Sequence, residues 1–231
     1  MHRYDYFDFL ATHMLRMRGT EEERAALDTL AGPASPTQLA AGFPTPCSVG
    51  LSVFCEGGTQ LMLPRRTSDS GPGGLWEAGK IFNAVGENAA LRDFAAANRR
   101  SHESTPDVIA RRGLYEELGL SDHEIGAATL RLHSFAWASD WRDFKFFGYL
   151  TTSLSRSEVQ DRWRNAPDRS ETSGFELAAW PVGSAEECRA LVSAVRDNPE
   201  EWAPEAVFCT LRSLITLRRI SIDDASREMQ S

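Results

Sequence analysis

The sequence predicts an α/β fold of the α+β kind: a mixed β-sheet sandwiched by helices, with helical additions at both ends. Three observations predict it. A hairpin pattern occupies residues 47–66, a well-punctuated helix follows at 105–118, and two more strand patterns come after it at 128–138 and 143–152. Strands on both sides of one capped helix suit a sheet covered by helices better than a bundle or a sandwich of sheets.

Each element has its own signal. Tyr4, Phe7, Leu10 and Met14 recur at helical spacing, and EEERAALDTLAG is a second helical run ending at Gly32. Residues 1–40 therefore read as an N-terminal helical extension. GPASPTQLAAGFPTP is rich in proline and glycine and reads as a connector. The period then changes. CSVGLSVFC and TQLMLPRR are strand-like and are separated by EGG, a hairpin signal. SDSGPGG is a loop, GLWEAGKIFNAVGE is strand in part, and NAALRDFAAANRR is a short helix.

STPDVIARRGLYEELGL carries the clearest helix punctuation in the chain. Thr105 suits the N-cap, Pro106 the first helical position, Asp107 the first turn and Gly119 the left-handed closing residue. ATLRLHSFAWA, DFKFFGYLTT and FELAAWPV read as strands. Residues 185–197 and 203–219 read as helices, so that 185–220 form a C-terminal helical addition. The expectation is one domain over 1–231, with its core at 47–182.

Composition bounds the function. Of 231 residues, 42% are hydrophobic and 25% charged, with a net charge of −8 and no Lys/Arg block. That balance argues against a nucleic-acid partner. No apolar stretch approaches the length of a membrane span, and Asp5 and Asp8 interrupt the N-terminus, so neither a membrane partner nor a leader is expected. Cys47, Cys55, Cys188 and Cys209 show no ligand spacing and suit the core of a cytoplasmic protein.

On the 105–118 helix, Ala110, Leu114 and Leu118 form a stripe that can pack on a sheet. Glu116 and Glu117 lie at the margin of that stripe, adjacent along the helix, and can aim at one cation. Mg²⁺ takes oxygen ligands from one or two carboxylates, waters and phosphate. Arg112, one turn earlier, can brace Glu116. A pair of glutamates on a helix is also common as a solvated surface feature.

Arg112–Leu120, RGLYEELGL, resembles the second half of the Nudix box, G-x5-E-x7-R-E-U-x-E-E-x-G-U, with eight of nine positions compatible. WEAGKIFNAVGE, Trp76 to Glu87, is similar to the strand and loop that open the box. SVGLSVFCEGGTQLMLPRR resembles the preceding hairpin, and FELAAWPV the later strand that often carries a metal-facing glutamate. The resemblance spans residues 47–182. It implies Glu116 and Glu117 as ligands of Mg²⁺ or Mn²⁺, and a small-molecule nucleotide-like substrate, a nucleoside diphosphate linked to another group. A homodimer is compatible with it.

Two departures stand out. Gly113 replaces the glutamate that follows the box arginine. In addition 24 residues, 88–111, separate Glu87 from Arg112, so 88–103 reads as an insertion beside the pocket. Glu103 offers a competing alignment of the first box glutamate. The general base is then Glu87, Glu103 or Glu176, with Glu171 another source of the missing carboxylate. Arg65 and Arg66 at a strand end are candidates for phosphate binding. Trp141 is a candidate substrate contact, and Trp137 and Phe146 can stack on a base or fill the core. Asp140 lies in a loop where a specificity group can sit. His102, His123 and His133 are scattered and fit no ligand set. Two functions remain: a Mg²⁺-dependent pyrophosphohydrolase, or a catalytically impaired Nudix-like module that binds a nucleotide-like ligand or a protein partner.

Overall fold

The structure, a computed structural model, describes residues 19–31, 47–66, 78–99, 103–138, 143–168 and 175–230. The order of elements is α1 (Glu21–Ala31), β1 (Cys47–Cys55), β2 (Gln60–Arg66), β3 (Val85–Asn88), α2 (Leu91–Arg99), α3 (Thr105–Glu116), α4 (Asp122–Ala127), β4 (Thr129–Ala138), β5 (Asp143–Thr151), α5 (Arg156–Arg164), β6 (Phe175–Pro181), α6 (Ala185–Asp197), α7 (Pro204–Thr216) and α8 (Ile222–Gln230). The mixed sheet sandwiched by helices is present. Trp141, Asp140 and Glu171 lie outside the described residues, as do residues 1–18 of the expected N-terminal extension.

The sheet runs β4-β5-β1-β2-β6, with β3 also pairing β1. β1 is its axis. One edge of β1 pairs in parallel with β5 from Cys47 to Phe54. The other edge is shared, with β3 beside Ser48–Leu51 and β2 beside Val53–Cys55. All the other strand pairings are antiparallel. The β1–β2 hairpin turns through Glu56–Gly58, as the EGG signal predicts.

Alternation along the strands divides the core in two. Val49, Leu51, Val53 and Cys55 of β1 face one side, where they meet Ile109, Ala110 and Leu114 of α3, Ile125 of α4 and Val159 of α5. Phe54 of β1, with Leu61 and Leu63 of β2, faces the other side. There they meet Leu191, Val192 and Val195 of α6, Ala206 and Leu214 of α7 and Ala225 of α8. Leu114 and Leu118 are both fully buried, as the helical stripe requires.

Local chemistry sets the helix ends. Ser104, not Thr105, caps α3, and it forms a capping box with Asp107. A hydroxyl three residues before an acid satisfies two orphan donors, and Thr105 has no acid at that distance. The same box starts α4 at Ser121/Glu124, α5 at Ser155/Glu158 and α6 at Ser184/Glu187. Gly119 ends α3 with φ +69°, the left-handed value that the sequence predicts there. A side chain on it would also meet the Arg162 carbonyl oxygen at 2.4 Å, so α5 closes against this turn.

Candidate functional site

α3 packs on β1 and β3, and its second half lies along Val85–Asn88 of β3. Arg112 is the hub of that junction. Its Nη1 bonds Glu116 one turn on at 2.7 Å and pairs with Glu87 of β3 at 2.9 Å. Its Nε and Nη2 donate to the two oxygens of Asp93 on α2, at 2.9 and 3.0 Å, and Nη2 also donates to the Asn88 carbonyl at 2.6 Å. The side chain is only 13% exposed, so these contacts are largely shielded from water. Arg92 of α2 closes over the outside, donating to both oxygens of Glu116 at 2.9 and 3.1 Å. Glu117 turns the other way, and both its oxygens accept from the Gly86 backbone N–H, at 3.1 and 3.2 Å.

This network explains Gly113. A Cβ there would stand 2.5 Å from Val85 Cγ1 and 2.9 Å from Glu87 Cβ. The helix crosses β3 too closely for any side chain at 113. That close approach brings Arg112 within reach of Glu87 and Glu117 within reach of Gly86.

The charges are unevenly shared. Burial pushes the Glu87 carboxyl up to about 7; Arg112 opposes the shift and the neighbouring Glu116 adds to it. A carboxylate 2.9 Å from a guanidinium would ordinarily be held down. Here one positive charge is divided among Glu87, Asp93 and Glu116, which leaves too little to offset the burial of Glu87. Burial also disfavours the charged form of Arg112, but its bonds to Asp93 and Glu116 outweigh this and hold it firmly protonated.

The structure thus gathers Glu87, Glu116 and Glu117 at one junction and adds Asp93, which sequence reasoning missed. Asp93 is 2% exposed and also accepts from the Ala90 N–H at 2.7 Å. Nothing in the order of residues along the chain places it beside Arg112; that contact depends on the packing of α2 on α3.

The other expected site residues stand elsewhere. Glu103 pairs with Arg111 at 3.1 Å, about 100° round the helix from Arg112. Leu177 of β6 points into the α3-side core, so Glu176 before it projects from the opposite face, in register with Arg65. Arg65 is engaged on that same far side, with Glu201 at 2.6 Å and the Gly79 carbonyl at 2.9 Å. The sheet therefore lies between the Arg65–Glu176 pair and the α3 carboxylates, which corrects the expectation that they share one pocket. Arg66 is buried, with its guanidinium 5.4 Å from the Phe82 ring centre. His133 bonds Ser134 and Ser213, and burial, reinforced by Arg212, lowers it to about 4, so the ring is neutral and structural.

Among the described residues no group of three or more His, Cys, Asp and Glu is arranged as a ready metal site. The donor chemistry of Glu116 and Glu117 nevertheless fits a hard cation such as Mg²⁺ or Mn²⁺: both offer carboxylate oxygens at the surface end of the junction. Arg92 is 64% exposed and can leave Glu116 to such a cation while Arg112 stays in place.

No protein-family model matches the chain, and no curated protein does. Solved structures do. A Nudix-family hydrolase from Clostridium perfringens aligns over 74% of this chain and 97% of its own, at 13% identity and a TM-score of 0.39. A protein from Deinococcus radiodurans aligns over 69% of this chain and 80% of its own, at 18% identity and a TM-score of 0.37. Similarity at this level assigns neither residue roles nor a substrate.

Proposed function

We propose that the chain is a Nudix-type pyrophosphohydrolase that cleaves a nucleoside diphosphate linked to another group, with Glu116 and Glu117 as the residues that hold Mg²⁺ or Mn²⁺. The observation that carries the reading is the junction itself. A carboxyl group titrating near neutrality, Glu87, is fixed by Arg112 beside the box glutamates. When bound, the cation supplies charge neutralisation on the phosphates and orients water.

The chain's own residues do the rest. Glu87 accepts the proton of the attacking water, which its value of about 7 suits at neutral pH. The new P–O bond forms as the bridging P–O bond breaks, and the leaving phosphate carries away the bonding pair. Arg112 keeps Glu87 and Glu116 in register, and the Gly86 N–H fixes Glu117. Gly113 provides no third carboxylate on the helix, and Asp93 is committed to Arg112 and the Ala90 N–H, so the base has to come from β3.

The test is phosphate release from nucleotide sugars, ADP-ribose and nucleoside triphosphates, with and without Mg²⁺. Glu117→Gln should lower turnover at least ~100-fold, the order expected for losing electrostatic stabilisation of the transition state. Turnover that survives Glu117→Gln would move the site elsewhere. A second reading, an impaired module that binds a nucleotide-like ligand, is favoured by one observation: both oxygens of Glu116 already accept from arginine. Absence of release from every member of the panel would establish that reading over the first.

A further inference from the structure

The insertion brings a second arginine to the junction. Arg92 stands on the first turn of α2, and among the described residues its one hydrogen-bond and ion-pair partner is Glu116. The two arginines that meet Glu116 do so differently. Arg112 donates to Oε2 alone, at 2.7 Å, and its side chain is 13% exposed. Arg92 donates to Oε1 at 2.9 Å and to Oε2 at 3.1 Å, and its side chain is 64% exposed. Oε1 is thus held by Arg92 alone. When Arg92 lets go, Oε1 is bare, while Arg112 still fixes the carboxylate through Oε2.

α2 is anchored independently of that contact. The next residue, Asp93, is buried, bonds Arg112 through both oxygens, and closes the first turn on the Ala90 N–H. The backbone at Arg92 is therefore clamped to α3, and its long side chain is the part left free to turn. An exposed ion pair contributes little and is readily exchanged. The guanidinium fork suits phosphate oxygens as well as it suits a carboxylate. From one anchored position Arg92 can serve two partners, Glu116 or a phosphate group at the same junction.

We propose that Arg92 is a latch that the insertion adds to the junction: it covers Oε1 of Glu116, and it swings onto the phosphates of a diphosphate ligand, so that anion capture and the uncovering of Glu116 are one event. This deepens the pyrophosphohydrolase reading and rests on it for the place of the phosphates. Glu116 and the anion compete for one guanidinium, so each weakens the hold of the other on it. Arg92 gives up Glu116 without a new partner when a cation arrives alone, and with one when the cation arrives beside a diphosphate. The latch therefore keeps the carboxylate closed to free cations and favours a charged diphosphate over an uncharged ester.

A metal-free double-mutant cycle tests it. Inorganic pyrophosphate is titrated by calorimetry, in EDTA, against the full chain as wild type, Glu116→Gln, Arg92→Ala and the double variant. Glu116→Gln releases Arg92 and should tighten pyrophosphate binding about fivefold, the upper range for undoing one exposed ion pair. In the Arg92→Ala background the same substitution should change it by less than about twofold, which separates a released arginine from the mere loss of a negative charge. A second arm leaves Glu116 intact: Mg²⁺ titrated alone should bind Arg92→Ala about fivefold more tightly than wild type, by the same exchange. No pyrophosphate binding by Glu116→Gln, a gain as large without Arg92 as with it, or a Mg²⁺ affinity that Arg92→Ala leaves unchanged would overturn the latch. The full pattern without Mg²⁺-dependent hydrolysis of any diphosphate sinks the enzyme reading alone. Hydrolysis with no gain that depends on Arg92 sinks the latch alone.

Discussion

Gly113 shows what a single residue can hide. A glycine inside a helix costs about 1 kcal/mol relative to alanine, and from the sequence it reads as a lost catalytic glutamate. The structure gives it a steric reason, since Val85 and Glu87 occupy the space of a side chain. Restoring a carboxylate at 113 is therefore expected to push α3 off β3 rather than to restore activity. Gly113→Ala is the cleaner test. Overpacking costs about 1–3 kcal/mol, against roughly 1 kcal/mol gained in helix propensity. Urea denaturation should show a net loss of about 1 kcal/mol. Glu87 makes a second prediction. Its folded-state value of about 7 lies above the ordinary 4.5, so the folded protein binds more protons than the unfolded one between those values. Stability should fall as pH rises from about 4.5 to 7, by roughly 1–3 kcal/mol. Urea midpoints at pH 5 and 7.5 should differ for the wild type, and less for Glu87→Gln.

Among the elements, α3 was the most legible, because caps and closing glycines act locally. Its N-cap still moved by one residue, to Ser104, since the box partner Asp107 decides between two hydroxyls. The short helices α4 and α5 carry little apolar periodicity, and S-x-x-E at Ser121 and Ser155 is their local signal. The far side of the sheet was harder to read. Whether Glu176 faces α3 depends on the alternation fixed by Leu177, and FELAAWPV is apolar on both faces of its strand. The insertion, expected to form a lobe or helix beside the pocket, supplies the helix α2, which contributes to the junction itself. Its Asp93 and the Asn88 carbonyl bind Arg112, so removing 88–103 would strip a largely buried guanidinium of three bonds. Asp93→Ala should cost about 2–3 kcal/mol by denaturant titration, the range for charge-assisted hydrogen bonds. Arg92→Ala, which loses only an exposed pair, should change stability by less than about 0.5 kcal/mol. It should strengthen Mg²⁺ binding by uncovering Glu116, which calorimetry can read.

Across the whole molecule, two apolar cores on opposite faces of one sheet were foreseeable from the strand patterns. How β2 and β3 divide one edge of β1 was not, because that pairing joins distant parts of the chain. No helix among the described residues is long and apolar enough to cross a membrane. If the junction takes a divalent cation, millimolar MgCl₂ should raise the melting temperature of the wild type and not that of a Glu116→Gln, Glu117→Gln double variant. A ligand at a hundred times its dissociation constant adds about 2.7 kcal/mol to the folded state. The parallel pairing of β1 with β5 also bears on the order of assembly. About a hundred residues lie between Cys47 and its partner Phe144, whereas the β1–β2 hairpin closes through a single short turn. Loop closure on that scale is slow, so the hairpin should form early and wait, with one long edge of β1 bare, until β5 has left the ribosome. During that interval CSVGLSVFC is an uncharged, β-prone segment of the kind that pairs with neighbouring chains. Low yield on overexpression, relieved by slower synthesis, would then reflect the time β1 spends waiting for its partner rather than any weakness of the finished fold.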